Sequence, residues 1–216
     1  MNGDRGMPAF DGKDYREFQR STVSGMGNEP ARLICLRHAE AERITTQLAG
    51  LPDPSLTARG RDQAAAAASR LRSEQAGMVY ASSAVRSRQT AAIIAERLGL
   101  QIVVMPALSE VAVAAQVLEA WIVHGDLGAR VADGETGHAV ASRVTAALAE
   151  IAAACADQPA IVVGHVASLT TAISVLCCNG LSLWGAPLPH AIPFPLTREG
   201  ARWQVQWPTL SKPPTV

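Results

Sequence analysis

The chain has 216 residues, enough for one sizeable core and one domain, and its 48% hydrophobic and 18% charged residues are ordinary for a soluble α/β protein. Lys plus Arg and Asp plus Glu both number 19, so the formal net charge is zero. Neither nucleic acid nor an anionic membrane is indicated as a partner, because each calls for a basic stripe, and any anion must be bound by a local cluster of Arg.

Residues 1–30 are rich in Gly, Asp, Arg, Ser and Asn without sustained periodicity, and read as a disordered N-terminal extension. The stretch lacks the basic-then-apolar pattern of a signal peptide, and the chain has no apolar run of 18 residues, so a cytoplasmic protein is expected. A single catalytic domain is expected over 31–210, with 211–216 as an irregular, Pro-containing tail. Short apolar strands are expected at 32–37, 77–81, 101–105 and 160–164, all buried and central. Helices are expected from Thr57, a plausible N-cap, to about Leu71, and near 84–98, 113–123, 137–155 and 168–178. Trp203, Val205 and Trp207 alternate as a final edge strand. This order predicts a three-layer α/β/α sandwich with a mostly parallel central sheet. Cys35, Cys155, Cys177 and Cys178 lie in apolar segments without ligand spacing and read as free thiols; no metal site and no cofactor are expected.

In a parallel sheet, ligands bind beyond the carboxyl ends of the strands. Four polar features stand there: Arg37-His38 after the first strand, Ser82 to Arg86 after the second, Leu108-Ser109-Glu110 after the third, and Gly164-His165 after the fourth. Two His, two Arg and one Glu thus converge on one rim. A neutral imidazole attacks phosphorus, and guanidinium offers a planar fork of donors to phosphate oxygens.

The stretches Leu36-Arg37-His38-Ala39-Glu40, Asp53-Pro54-Ser55-Leu56-Thr57-Ala58-Arg59-Gly60, Ala81 to Ala91, Leu108-Ser109-Glu110 and Val162-Val163-Gly164-His165 resemble, in order and spacing, the histidine phosphatase superfamily. The resemblance covers about 32–180 and implies a phosphoglycerate mutase-like fold. It makes His38 the nucleophile that becomes phosphohistidine and Glu110 the proton donor to the leaving group. Arg37, Arg86 and His165 would surround the phosphoryl oxygens. The implied activity is that of a histidine acid phosphatase-type phosphoric monoester hydrolase acting on a small-molecule phosphate ester without metal. His38 must then be neutral and His165 protonated, so their pKa values are expected to move apart. The helix N-termini after Ser83 and His165 are expected to add backbone donors.

The chain departs from the family pattern at Ile44, where the family often has Asn, at Val166-Ala167, where it often has Gly-Gly, and in the apolar stretch after Glu110. If that first Gly normally has positive φ, Val166 forces a local change. Glu40 and Glu119 are rivals for the acid role. Two alternatives therefore stand beside hydrolysis: a phosphoglycerate-type phosphomutase, disfavoured by the scarcity of basic residues over 99–129, and a degenerate member that binds a phosphorylated ligand without turnover. Arg59, Arg61 and Arg88 read as solvated, and His124, His138 and His190 have no partner at ligand spacing. Substrate identity and oligomeric state stay open.

Overall fold

The computed structural model describes residues 12–24, 26–42, 53–111, 127–128, 134–155, 157–177 and 188–208. In chain order the elements are α1 (Gly12–Val23), β1 (Ala31–Arg37), α2 (Ala58–Leu71), β2 (Met78–Ala81), α3 (Val85–Leu98), β3 (Gln101–Val104), α4 (Gly137–Ala154), β4 (Ala160–Gly164), α5 (Val166–Leu176), β5 (Phe194–Glu199) and β6 (Arg202–Val205). The six strands form one sheet in the order β3-β2-β4-β1-β5-β6. β1 to β4 run parallel, and β5 and β6 are added antiparallel.

Side-chain alternation along the strands divides the core in two. Leu33 and Cys35 of β1 and Val162 of β4 face α4 and α5, where Val144, Leu148, Ile151, Leu169 and Ile173 are buried. Ile34, Leu36, Ile161 and Val163 face α2 and α3. There Ala64, Ala67, Ala68, Ala91 and Ala95 keep both helices close to the sheet, with Ile94 filling the space between. Thr57 caps α2 as expected, its hydroxyl accepting from Gly60 N at 2.9 Å. Gly60 is required by proximity, since a Cβ there would collide with the Glu40 carbonyl.

Two expectations are corrected. Residues 12–23, assigned to a disordered extension, form α1, and Gln19 Nε2 donates to the Val175 carbonyl at 2.8 Å. β3 is an edge strand rather than a central one, paired only with β2, and Ile102, Val103 and Val104 are exposed. β5, which no expectation from the sequence covers, is paired on both sides, with Ile34 standing opposite Pro195. The helix expected over 113–123, Ile44 and Glu119 lie outside the described residues. Among the described residues Cys35 and Cys155 are free thiols, and Cys178 lies outside them. Among the described residues no helix is long and apolar enough to cross a membrane.

Candidate active site

The sheet register builds the site. Arg37 at the end of β1 stands opposite Gly164 at the end of β4, and Ala81 of β2 stands opposite Val163. The next residues, His38, His165 and Ser82, therefore leave the sheet at one level. His38 N still donates to Gly164 O at 2.9 Å, and Ser82 N to Val163 O at 3.2 Å. Above them opens a cavity of about 780 Å³, lined by Arg37, His38, Glu40, Arg86, Glu110 and His190 together with Ala41, Glu42, Pro54 and Thr57.

The His38 ring is fixed by its own backbone. Its Nδ1 lies 2.7 Å from the Ala39 carbonyl oxygen, which can only accept, so Nδ1 carries the proton and Nε2 the lone pair. Ala39 N donates in turn to Thr90 Oγ1 at 3.0 Å. Arg86 Nε donates to His38 Nε2 at 3.2 Å, and Arg86 Nη2 lies 3.3 Å from His165 Nδ1. His165 Nε2 is 2.6 Å from Ser82 Oγ. One guanidinium thus bridges the lone pairs of two neutral imidazoles whose rings are 5.1 Å apart.

Burial pushes the His38 pKa down to about 3, against the raising effect of the Ala39 bond and with Arg86, Arg37 and His190 lowering it further. Burial also takes His165 down to about 2, assisted by His38, Arg86, Arg37 and Arg143. The expectation that the two pKa values move apart is corrected: burial lowers both and the neighbouring guanidiniums lower them further, so both histidines are neutral. His165 is fully buried and is not among the residues lining the cavity; it meets the site through Arg86.

The two helix N-termini are also not free for an anion. Asp53 takes the N-terminus of α3, both of its oxygens accepting from Val85 N at 2.8 and 2.9 Å, and Oδ1 lies 3.4 Å from Arg86 Nη1. Glu110 takes that of α5, accepting from Ala167 N at 3.2 Å and Ser168 N at 3.0 Å, and from its neighbour Val111 N at 3.0 Å. A carboxylate at a helix N-terminus satisfies the same orphan donors a phosphate would. Burial nevertheless raises the Glu110 pKa, outweighing the three backbone donors and the Arg86 charge. Val166, the first residue of α5, does not adopt a positive φ.

Arg37 Nη1 donates to the Leu188 carbonyl at 3.1 Å, whereas its buried Nε has no partner among the described residues. Arg88, Arg59 and Arg61 are exposed as expected, and Arg59 lies 3.5 Å from Glu40. His190 was set aside and belongs to the site. Its Nδ1 is 3.0 Å from the His38 carbonyl, its ring 5.4 Å from the His38 ring, and Ala191 N donates to Arg37 O at 3.0 Å. No local motif announces it, since only pairing beside Arg37 brings residue 190 back to β1. Asp53 was visible in a matching motif, but its partner Arg86 lies 33 residues on.

Comparison with known proteins returns the same frame. The family model of the histidine phosphatase superfamily (branch 1) matches residues 33–207. Mycobacterial glucosyl-3-phosphoglycerate phosphatase complexed with VO3 superposes with a TM-score of 0.68 at 26% identity, covering 84% of this chain and 100% of that one. Bacillus stearothermophilus YhfR gives 0.70 at 20% identity (82% and 96% covered), and the alpha-ribazole phosphatase of Shigella flexneri 0.65 at 21% (82% and 95%). No curated protein matches significantly. With the family model spanning the chain from β1 to beyond β6, and His38, Arg86 and His165 joined at the ends of β1, β2 and β4, the chain belongs to the histidine phosphatase superfamily, branch 1.

Proposed function

We propose that the protein is a metal-independent phosphomonoesterase that hydrolyses a small phosphorylated molecule through a phosphohistidine at His38. The observation that carries this reading is the His38 ring: neutral, held by Ala39 at Nδ1, with the Nε2 lone pair on the floor of the cavity beside two guanidiniums. Membership of a phosphatase family supports hydrolysis as the reaction class.

In this reading the phosphoryl group displaces His38 Nε2 as the acceptor of Arg86, whose donors move to the equatorial oxygens. Arg37 Nε, a buried donor without a partner among the described residues, supplies another. His38 Nε2 attacks phosphorus in line as the P–O bond to the leaving group breaks. Glu110, whose raised pKa favours the protonated form, gives its proton to the leaving oxygen. The resulting carboxylate then takes a proton from the water that attacks phosphorus, and the P–N bond to His38 breaks. Loss of Arg86 from His165 Nδ1, with a phosphate dianion alongside, raises the His165 pKa and makes it a further donor.

The degenerate binder is the second reading. It is favoured by the occupation of His38 Nε2 by Arg86 and of Glu110 by three backbone donors. Phosphate release from p-nitrophenyl phosphate and a panel of phosphorylated metabolites separates the two. Release that persists in EDTA and is inhibited by vanadate is expected, with vanadate raising the melting temperature by mass action. Activity lost in EDTA and restored by zinc or magnesium contradicts the mechanism, and vanadate binding without turnover of any ester favours the binder.

A further inference from the structure

The two sides of the cavity differ in hydrogen-bond polarity. Its floor presents donors, from Arg37 and Arg86. The wall formed by Glu40 and His190 presents acceptors. His190 donates through Nδ1 to the His38 carbonyl, so in the neutral ring Nε2 carries a lone pair, and it makes no hydrogen bond among the described residues. Burial lowers the His190 pKa and outweighs the raising effect of that backbone bond, so the ring is neutral near pH 7. Glu40 Oε1 accepts from Thr57 Oγ1 at 3.0 Å, and Oε2 lies 3.5 Å from Arg59 Nη1, leaving further lone pairs on both oxygens.

Both acceptors are held in place. Glu40 N donates to Gln63 Oε1 at 2.9 Å, and Thr57 N donates to the Glu40 carbonyl at 3.1 Å. His190 is fixed through its own ring and through Ala191 N on Arg37 O. Preorganised acceptors select a ligand that carries donors, and leave an apolar ligand with unpaired polar groups facing it. A second anionic group on the ligand would meet the Glu40 carboxylate. The nearby cation, Arg59, is 77% exposed and already beside Glu40, so it offers little compensation.

We propose that the Glu40–His190 wall recognises hydroxyl groups, so that the substrate is the phosphate monoester of a polyol without a second anionic group. This rests on the phosphatase reading and names its substrate class.

Three esters of matched carbon number test it: glycerol 3-phosphate, n-propyl phosphate and 3-phosphoglycerate, with p-nitrophenyl phosphate as a separate measure of turnover. For the wild type, kcat/KM on glycerol 3-phosphate is expected to exceed that on each of the other two by roughly tenfold or more, the effect of one or two satisfied hydrogen bonds. His190→Phe should collapse the glycerol-to-propyl ratio severalfold, and His190→Gln, whose amide oxygen reaches the Nε2 position, should restore most of it. Glu40→Gln, which keeps an acceptor for Thr57, should raise 3-phosphoglycerate relative to glycerol 3-phosphate, and it stands in if His190→Phe does not fold. Equal kcat/KM on the three esters, or preference for 3-phosphoglycerate, overturns the inference while leaving hydrolysis in place. An unchanged ratio in folded His190→Phe overturns the role of His190. No phosphate release from any ester, p-nitrophenyl phosphate included, overturns the phosphatase reading and the substrate class with it.

Discussion

The two histidines at the cavity and the layer of core beneath them are both buried, yet they are built on opposite terms. Between the sheet and α2–α3, Ile34, Leu36, Ala64, Ala68 and Ile94 are at most 2% exposed and pack in one apolar cluster. Just beyond the ends of β1 and β4, His38 and His165 are buried to a similar degree, at 7% and 0% exposure, but face two guanidiniums, and Arg37 Nε has no partner among the described residues. The core has what stability asks of it. In the proposed reading the floor holds polar groups in states that cost free energy until an anion arrives, which is how a preorganised anion site differs from a core.

The widest separation should come from substituting one residue in each region. His38→Ala should lower phosphate release by roughly 10⁴-fold or more, as expected for loss of a nucleophile, while leaving the melting temperature within a few degrees. Ile94→Ala should do the reverse, destabilising the fold by about 2–5 kcal/mol with kcat of the folded fraction retained. Steady-state kinetics and urea denaturation on both variants check the pair.

Glu110 lines the same cavity, and in the proposed mechanism it protonates the leaving group. Glu110→Gln should slow alkyl phosphates by roughly 10²–10⁴-fold and p-nitrophenyl phosphate far less, because nitrophenolate leaves without a proton. Equal losses on both classes would reduce Glu110 to a residue that positions α5. Asp53 tests how finely the floor is aimed. Asp53→Ala frees Arg86 Nη1 and the N-terminus of α3, and should cut kcat/KM by roughly 10–100-fold, with about 1 kcal/mol lost from the helix. Recovery of kcat/KM in Asp53→Asn, which retains an acceptor for Val85 N, would show that capping rather than the ion pair is what matters.

The two regions also differ in pH dependence. Burial holds His38 and His165 at about 3 and about 2, well below the 6.5 of an exposed imidazole. As pH falls below about 6.5, the unfolded chain takes up protons that the folded chain does not, so each histidine removes up to about 1.4 kcal/mol of stability per pH unit until its folded pKa is reached. Glu110 has the opposite sign: its raised pKa gives stability that is present at low pH and lost as pH rises through the folded value. Urea unfolding of Glu110→Gln at pH 7 and pH 5 isolates the histidines. A fall of about 2–4 kcal/mol is expected, and inorganic phosphate should shrink it.

Most of the parallel frame was legible, because β1, β2 and β4 are apolar runs ending in polar residues and Thr57 and Gly99 punctuate their helices as sequence rules require. Arg37, His38, Arg86 and Glu110, which line the cavity together, were legible because each directly follows, or lies a few residues after, a readable strand. What failed depends on through-space neighbours. β3 reads as a buried strand but lies at the sheet edge, because its position follows from sheet order and not from its own four residues. His190 reads as a lone histidine because its partner, the His38 carbonyl, is 152 residues away. The anion-binding helix N-termini were correctly located but assigned to phosphate, since nothing local shows that Asp53 and Glu110 fold back onto them.

The central claim is that His38 Nε2 forms a bond to phosphorus. Rapid quench of the wild type with ³²P-labelled substrate, followed by peptide mapping, tests it most directly. The account predicts a transient adduct on the peptide containing His38, stable in base, lost in acid, and absent from His38→Ala. An adduct that survives acid, or label on any other residue during steady turnover, would contradict it.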